Sequence, residues 1–271
     1  MSLRQFTNVA APDGAPQFSA RIFGFTKRGL VNLHRLADAA PATAYLDDVT
    51  GTSGAPIIEQ TGGFGSPTAT ALSGGGLRIA NREGLPFKSP INNALPWTIA
   101  FGLNINPNST LMPQGRALYF LGGSNGNGIA VYHNVVAASL TTSVQLPGFT
   151  AREFETGGTL LGSTPAVSGL NYGSGFVMFV KHLGSGAGAL EVYRLGVLVA
   201  SVSYTMALTT ERGSTGTDTM TYVIGGGTNY DALDINVEAL AQWSVALSAN
   251  EEVQNYNAFA ALANGRGRTW V

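Results

Sequence analysis

Along WTIAFGLNI (97–105) the apolar side chains fall on alternate positions: Trp97, Ile99, Phe101, Leu103 and Ile105. A period of two predicts a strand with one buried face. GGGLRIA (74–80) reads as a short strand after a glycine run. RALYFLGG (116–123) and GIAVYHN (128–134) read as two strands joined by the tight turn GSNG. GFVMFVKHL (175–183) is nearly all apolar and predicts a central strand. TMTYVIGGG (219–227) and INVEALAQWSVAL (235–247) supply the last strands. One helix is expected over LSANEEVQNYNAFAALANG (247–265). Ser248 with Glu251 three residues later forms a capping box, Val253, Tyr256, Phe259 and Ala260 follow at helical spacing, and Asn264-Gly265 ends it.

Between the central strand and the last strands lies GALEVYRLGVLVASVSY (188–204), two strand-like runs about Leu195-Gly196. Tight hairpins favour Asn-Gly or Asp-Gly, which tolerate positive φ and face water. The expectation is that Gly196 takes positive φ, at the third position of a type II turn or in a bulged turn, with no special dihedral at Leu195. An exposed leucine there is either a stray or a covered contact. Residues 138–172 carry a weak pattern that accommodates one strand and a long loop. No period of 20–50 residues recurs, which excludes a solenoid or propeller. Residues 1–37 differ from the rest: APDGAP is turn-rich, and FSARIFGFTKRGLVNLHRL mixes aromatic and basic residues without a clean period. Two parts are therefore expected, an N-terminal basic and aromatic arm (1–37) and a β-sandwich (38–271).

Composition agrees with short strands joined by turns. Only 11% of the 271 residues are charged, 36 are glycine and 44% are hydrophobic, enough for a large core. The net charge of −1 argues against nucleic acid as a partner. Its distribution is uneven. Arg4, Arg21, Lys27, Arg28, Arg35, Arg266 and Arg268 crowd the two ends, where Asp13 is the one acid. Basic ends with aromatics suit docking on an acidic partner, including another copy. The expected contact residues are Arg4, Phe6, Arg21, Phe23, Phe25, Lys27, Arg28, Leu195, Arg266 and Arg268. The chain has no cysteine, which excludes disulfides, thiolate metal sites and a cysteine nucleophile. No apolar leader follows Met1 and no run reaches the ~18 apolar residues of a membrane span, so synthesis in the cytoplasm and no membrane partner are expected.

Catalytic patterns fail on spacing. Gly122 to Gly126 formally fits G-x-S-x-G, but a strand rather than a helix follows it, so a turn is expected. His34, His133 and His182 are isolated from one another and from carboxylates. A structural calcium could draw on Asp47 and Asp48, or on Asn229, Asp231 and Asp234. Stacking on sugars could use Tyr132, Tyr172 or Tyr193. No cofactor is expected.

The order of these elements resembles a laminin-G-like, concanavalin A-like lectin/glucanase domain. The segments that carry the resemblance are ALSGGGLRI, PWTIAFGLNI, RALYFLGG, GIAVYHN, GFVMFVKHL, GALEVYRLGVLVASVSY, YVIGGG and EALAQWSVALSANEEV, preceded by YLDDVTGTSGAP (45–56). In the last of these strings Trp243, Ala246, Leu247, Ser248 and Glu251 match the family's strand-to-helix passage. The match covers roughly 42–262. It implies an all-β, two-sheet antiparallel jelly-roll sandwich with one short C-terminal helix. Glucanases of the superfamily carry two catalytic carboxylates on one strand face. DALDINVE, with Asp231, Asp234 and Glu238, departs from that spacing, and no catalytic residue is assigned. With no leader and no cysteine, the resemblance leads to a non-enzymatic structural or assembly protein of a phage particle: a capsid decoration or tail-associated protein, located in the virion. Its partners would be other virion proteins or copies of itself, in a homo-oligomer. The alternative is a carbohydrate-binding or host-receptor-binding module of a tail fibre, with glycans as partners.

Overall fold

In the computed structural model the described residues are 24–36, 70–81, 84–89, 95–105, 116–122, 128–136, 146–154, 160–163, 173–184, 187–205, 220–225 and 232–270. They form a two-sheet antiparallel sandwich with one C-terminal helix. The strands of the first sheet are β1 (Leu30–His34), β2 (Thr70–Ala71), β3 (Leu77–Asn81), β5 (Trp97–Ile105), β10 (Gly175–Gly184), β11 (Ala187–Arg194), β12 (Val197–Thr205) and β14 (Ala232–Trp243). Their order is β12-β11-β10-β5-β14-β3-β2, with β1 beside β14. The second sheet runs β4 (Gly84–Ser89), β13 (Met220–Gly225), β6 (Arg116–Gly122), β7 (Gly128–Val136), β8 (Leu146–Phe154) and β9 (Leu160–Ser163). The helix, α1, spans Ala249–Gly265.

β5 occupies the predicted residues, but its burial is two-sided. Trp97, Ile99, Phe101 and Leu103 are buried on one face, and Thr98, Ala100 and Gly102 are buried on the other. The second face is small because α1 lies over it. A Cβ on Gly102 would come within 2.6 Å of Phe259, and one on Gly175 within 2.3 Å of the Trp270 indole. The two glycines thus form a shallow floor that admits both aromatics. The same alternation runs through β10. Phe176, Met178 and Val180 face away from the helix, while Val177 and Phe179 join Ala239, Ala241, Trp243, Tyr256, Phe259 and Trp270 in a second core beneath it. Each large side chain buried there contributes roughly 1.5–3 kcal/mol, so α1 is part of the fold rather than an appendage.

Two readings from the pattern are corrected. Residues 30–34, assigned to the arm, are β1, and Leu33 pairs with Ala241 inside the sheet. Phe25 meets Phe259 edge-on at 5.0 Å between ring centroids. Alternation over five residues is too short to show this against the mixed run around it. The 138–172 stretch holds two strands, β8 and β9, instead of one. β4 contains Pro86, which cannot donate to a ladder; it is tolerated because β4 is an edge strand paired with β13 alone.

Candidate interaction site

The hairpin β11–β12 ends the first sheet and carries one of the two left-handed leucines among the described residues, the other being the buried Leu36 (φ +55°). Arg194 pairs with Val197, so the loop is the two residues Leu195-Gly196. Leu195 has φ +53° and Gly196 φ +74°. Positive φ at both central positions defines a type I′ turn, whose twist matches that of the flanking strands. This corrects the type II expectation: Leu195 does adopt a special dihedral. A left-handed conformation costs an L-residue with a Cβ about 1–2 kcal/mol. The Leu195 N–H donates to the Tyr256 hydroxyl of α1 at 2.7 Å, so the helix holds the strained turn in place.

The next residues depart from regular pairing as well. Val192 pairs with Ala200 but Tyr193 pairs with Leu198, which leaves Val199 as an extra residue in a β-bulge. A bulge bends its strand and re-aims side chains. The result is a contiguous aliphatic tip: Leu195 is 58% exposed, Val197 61%, Leu198 44% and Val199 47%. Single exposed aliphatics are ordinary, whereas four within five residues on an edge strand are a candidate contact surface.

Behind the tip, ionic contacts fasten α1 to the sheet. At its start Arg28 donates to both carboxylate oxygens of Glu251, at 2.7 and 2.6 Å, and to the Ala246 carbonyl at 3.0 Å. The Ser248 N–H donates to Glu251 at 2.8 Å, the backward half of the predicted capping box. These contacts, the Arg28 hydrogen bond foremost, hold the Glu251 carboxyl at about 2. In the first turn Lys181 lies 2.5 Å from Glu252 and 2.7 Å from Glu191, and the Tyr193 hydroxyl donates to Glu252 at 2.7 Å. Burial works against the Lys181 charge, but Glu191 and Glu252 outweigh it and hold the ammonium above the usual lysine range. Burial, followed by Glu252, pushes the Tyr193 phenol up. A charged lysine locked between two carboxylates and covered by a helix can neither abstract a proton nor attack a substrate. It anchors the helix.

Glu238 anchors the other end. A register shift between Val237 and Ala239 breaks the alternation of β14 at this residue. The Glu238 carboxylate accepts from Arg266 at 3.2 Å and from Arg268 Nη2 at 2.6 Å, just beyond α1. The chain leaves the helix through a Schellman motif, with Arg268 N–H to Ala263 and Gly267 N–H to Asn264, both 3.0 Å. Gly267 (φ +76°) takes the left-handed position.

The expected contact residues therefore separate. Phe25, Arg28, Arg266 and Arg268 make contacts within the chain, Lys27 is exposed on the surface, and Leu195 stands at the tip. Arg4, Phe6, Arg21 and Phe23 lie outside the described residues, as do the calcium candidates Asp47, Asp48, Asn229 and Asp231. Val197, Leu198 and Val199 were missed as contacts, although an uncharged LGVLV run was the available signal. His182 is buried beside Trp97 with Nδ1–H donating to the Leu95 carbonyl at 2.9 Å. Tyr193 is buried, so it offers no face to a sugar.

Neither a protein-family model nor a curated protein sequence matches the chain. Solved structures do. The chain is similar to the binding domain of botulinum neurotoxin serotype D, with TM-score 0.55 and 10% identity over 85% of this chain and 52% of that one. It is also similar to the binding domain of botulinum neurotoxin DC in complex with rat synaptotagmin II, with TM-score 0.55 and 9% identity over the same shares. The DC binding domain in complex with SialylT gives TM-score 0.52 and 9% identity, again over 85% and 52%. The chain spans about half the length of those domains. At this identity the likeness is one of fold, a lectin-like β-sandwich.

Proposed function

We propose that the chain is a non-catalytic binding module that docks on a protein through the β11–β12 hairpin. One observation carries the reading: an aliphatic tip, Leu195 with Val197 to Val199, is exposed and held rigid at the cost of a left-handed leucine. Asparagine would relieve that strain and face water better, so the leucine has its return outside the isolated chain. Backbone outliers that the surroundings enforce cluster at sites of function. The fold neighbours are binding domains, which supports recognition, and their complexes with synaptotagmin II and SialylT support either a protein or a glycan as the bound molecule. The tip favours protein. It is aliphatic, and among the described side chains Trp97, Trp243, Trp270, Tyr193 and Tyr256 are buried and offer no face to a sugar, while those of Tyr132 and Tyr172 lie outside the description.

The finer expectation, a capsid or tail component of a phage, adds a setting for the same docking. Mass spectrometry of purified particles tests that setting. The docking itself is tested by affinity capture with the wild-type chain and with the double variant Leu195→Asn, Leu198→Ser. The expected result is a protein retained by the wild type and reduced at least ~10-fold with the variant. Equal capture by both would remove the tip from the interface. Binding to a glycan array, undiminished in the variant, would transfer the function to the lectin alternative.

A further inference from the structure

β12 ends the first sheet, so among the described residues its outer backbone edge has no partner strand. Edge strands ordinarily carry charges or proline, or are kept short, because an open row of N–H and C=O groups templates pairing with another chain. β12 is nine residues long, and Val197–Thr205 contains no charged residue and no proline. Its one protective device is the bulge at Val199, at the end next to the turn; Ala200 to Thr205 pair regularly with Val192 to Ala187. Beyond the bulge the strand pairs regularly with β11 on its inner side and, among the described residues, has no partner on its outer side.

From these observations we infer that the occupant of the hairpin surface is a second copy of this chain, paired β12 to β12 across a twofold axis. The inference rests on the docking reading above and names its partner. Antiparallel pairing of one strand with its own copy is a twofold arrangement, self-complementary by construction. An axis at Ser201, the middle residue of β12, sets Val197, Leu198 and Val199 of each copy beside the Ser203–Thr205 end of the other. It joins the two eight-stranded sheets into one. Charge permits the approach. No like charges meet along the strand, the nearest carboxylate, Glu191, is engaged by Lys181 one strand inward, and the net charge of −1 gives two copies little repulsion. An unpaired ladder requires an extended backbone, which a glycan or a lipid cannot supply. The aliphatic patch alone is smaller than the ~800 Å² per partner of a standard interface, so the dimer depends on concentration.

Sedimentation velocity from about 2 to 200 µM tests this, because dimer formation follows mass action. The wild type is expected to pass from monomer to dimer. Hydrogen exchange at the two ends of that range should show slower exchange in Val197–Thr205 at high concentration, with no change in β5 or β14. Val197→Lys, at a 61% exposed position with little packing to lose, is expected to weaken the dimer at least ~10-fold, with thermal unfolding confirming that it folds. The exchange measurement on the wild type needs no variant. A monomer at every concentration with unchanged β12 exchange overturns the inference. Should that monomer capture another protein in a manner abolished by Val197→Lys, the docking reading stands and only the identity of the occupant falls. A dimer unaffected by Val197→Lys, with β12 exchange unchanged, places the contact elsewhere and overturns both.

Discussion

Leu195 shows how far one residue can be read without its surroundings. Its exposure and its place in a two-residue loop were legible, because turn residues interrupt two alternating runs. Its dihedral was not. A type II turn needs positive φ at the second central residue alone, and Gly196 would have satisfied it. The structure adopts type I′, whose twist suits the strands, and places Leu195 at φ +53°. Replacing Leu195 by Asn should relieve the strain and stabilise the fold by about 1 kcal/mol, raising the thermal midpoint by ~2–4 °C in a domain of this size. The same substitution should weaken docking. A midpoint unchanged or lowered in calorimetry would show that Leu195 packs on something that offsets its backbone cost. Glu238 is a second residue whose role needed tertiary context. In sequence it is one acid in DALDINVE; in the structure it sits at a bulge and receives Arg266 and Arg268.

At the scale of elements, α1 was the most legible and yet its purpose was not. Local rules place its cap at Ser248, its box residue at Glu251 and its end near 265, and the helix keeps those limits. Whether it covers a sheet or extends into solvent depends on Gly102 and Gly175, about 75 to 160 residues away, and on anchors from β10, β11 and the segment before β1. The Arg28–Glu251 contact predicts a pH dependence. Glu251 is lowered from its ordinary 4.5 to about 2, so it stays ionised in the fold at pH values that protonate it in the unfolded chain. Its stabilisation is therefore complete above pH 4.5 and is lost as pH falls through about 2. Glu251→Gln should flatten that part of the stability profile, measured by denaturant unfolding between those two pH values. Equal acid sensitivity in the variant would assign the effect to other carboxylates.

For the whole molecule, the boundary drawn after residue 37 is where sequence reasoning and tertiary structure differ most. Removing residues 1–37 takes away β1, with Leu33 in the second core and Phe25 against Phe259, and uncovers one edge of β14. The truncated chain is expected to be insoluble or to lose cooperative unfolding by circular dichroism, as a buried aromatic alone is worth 3–5 kcal/mol when removed. A truncation that unfolds at the wild-type temperature would restore the arm to a separate part. By itself the sequence determined the class of fold, most strand positions and the helix, because alternation, helical spacing and turn residues act over a few neighbours. The tertiary structure alone decided which basic residues turn inward, which face of β5 a helix covers and which strand is left at the edge. Those depend on contacts between positions more than two hundred residues apart, such as Arg28 with Glu251, where no local periodicity carries the information.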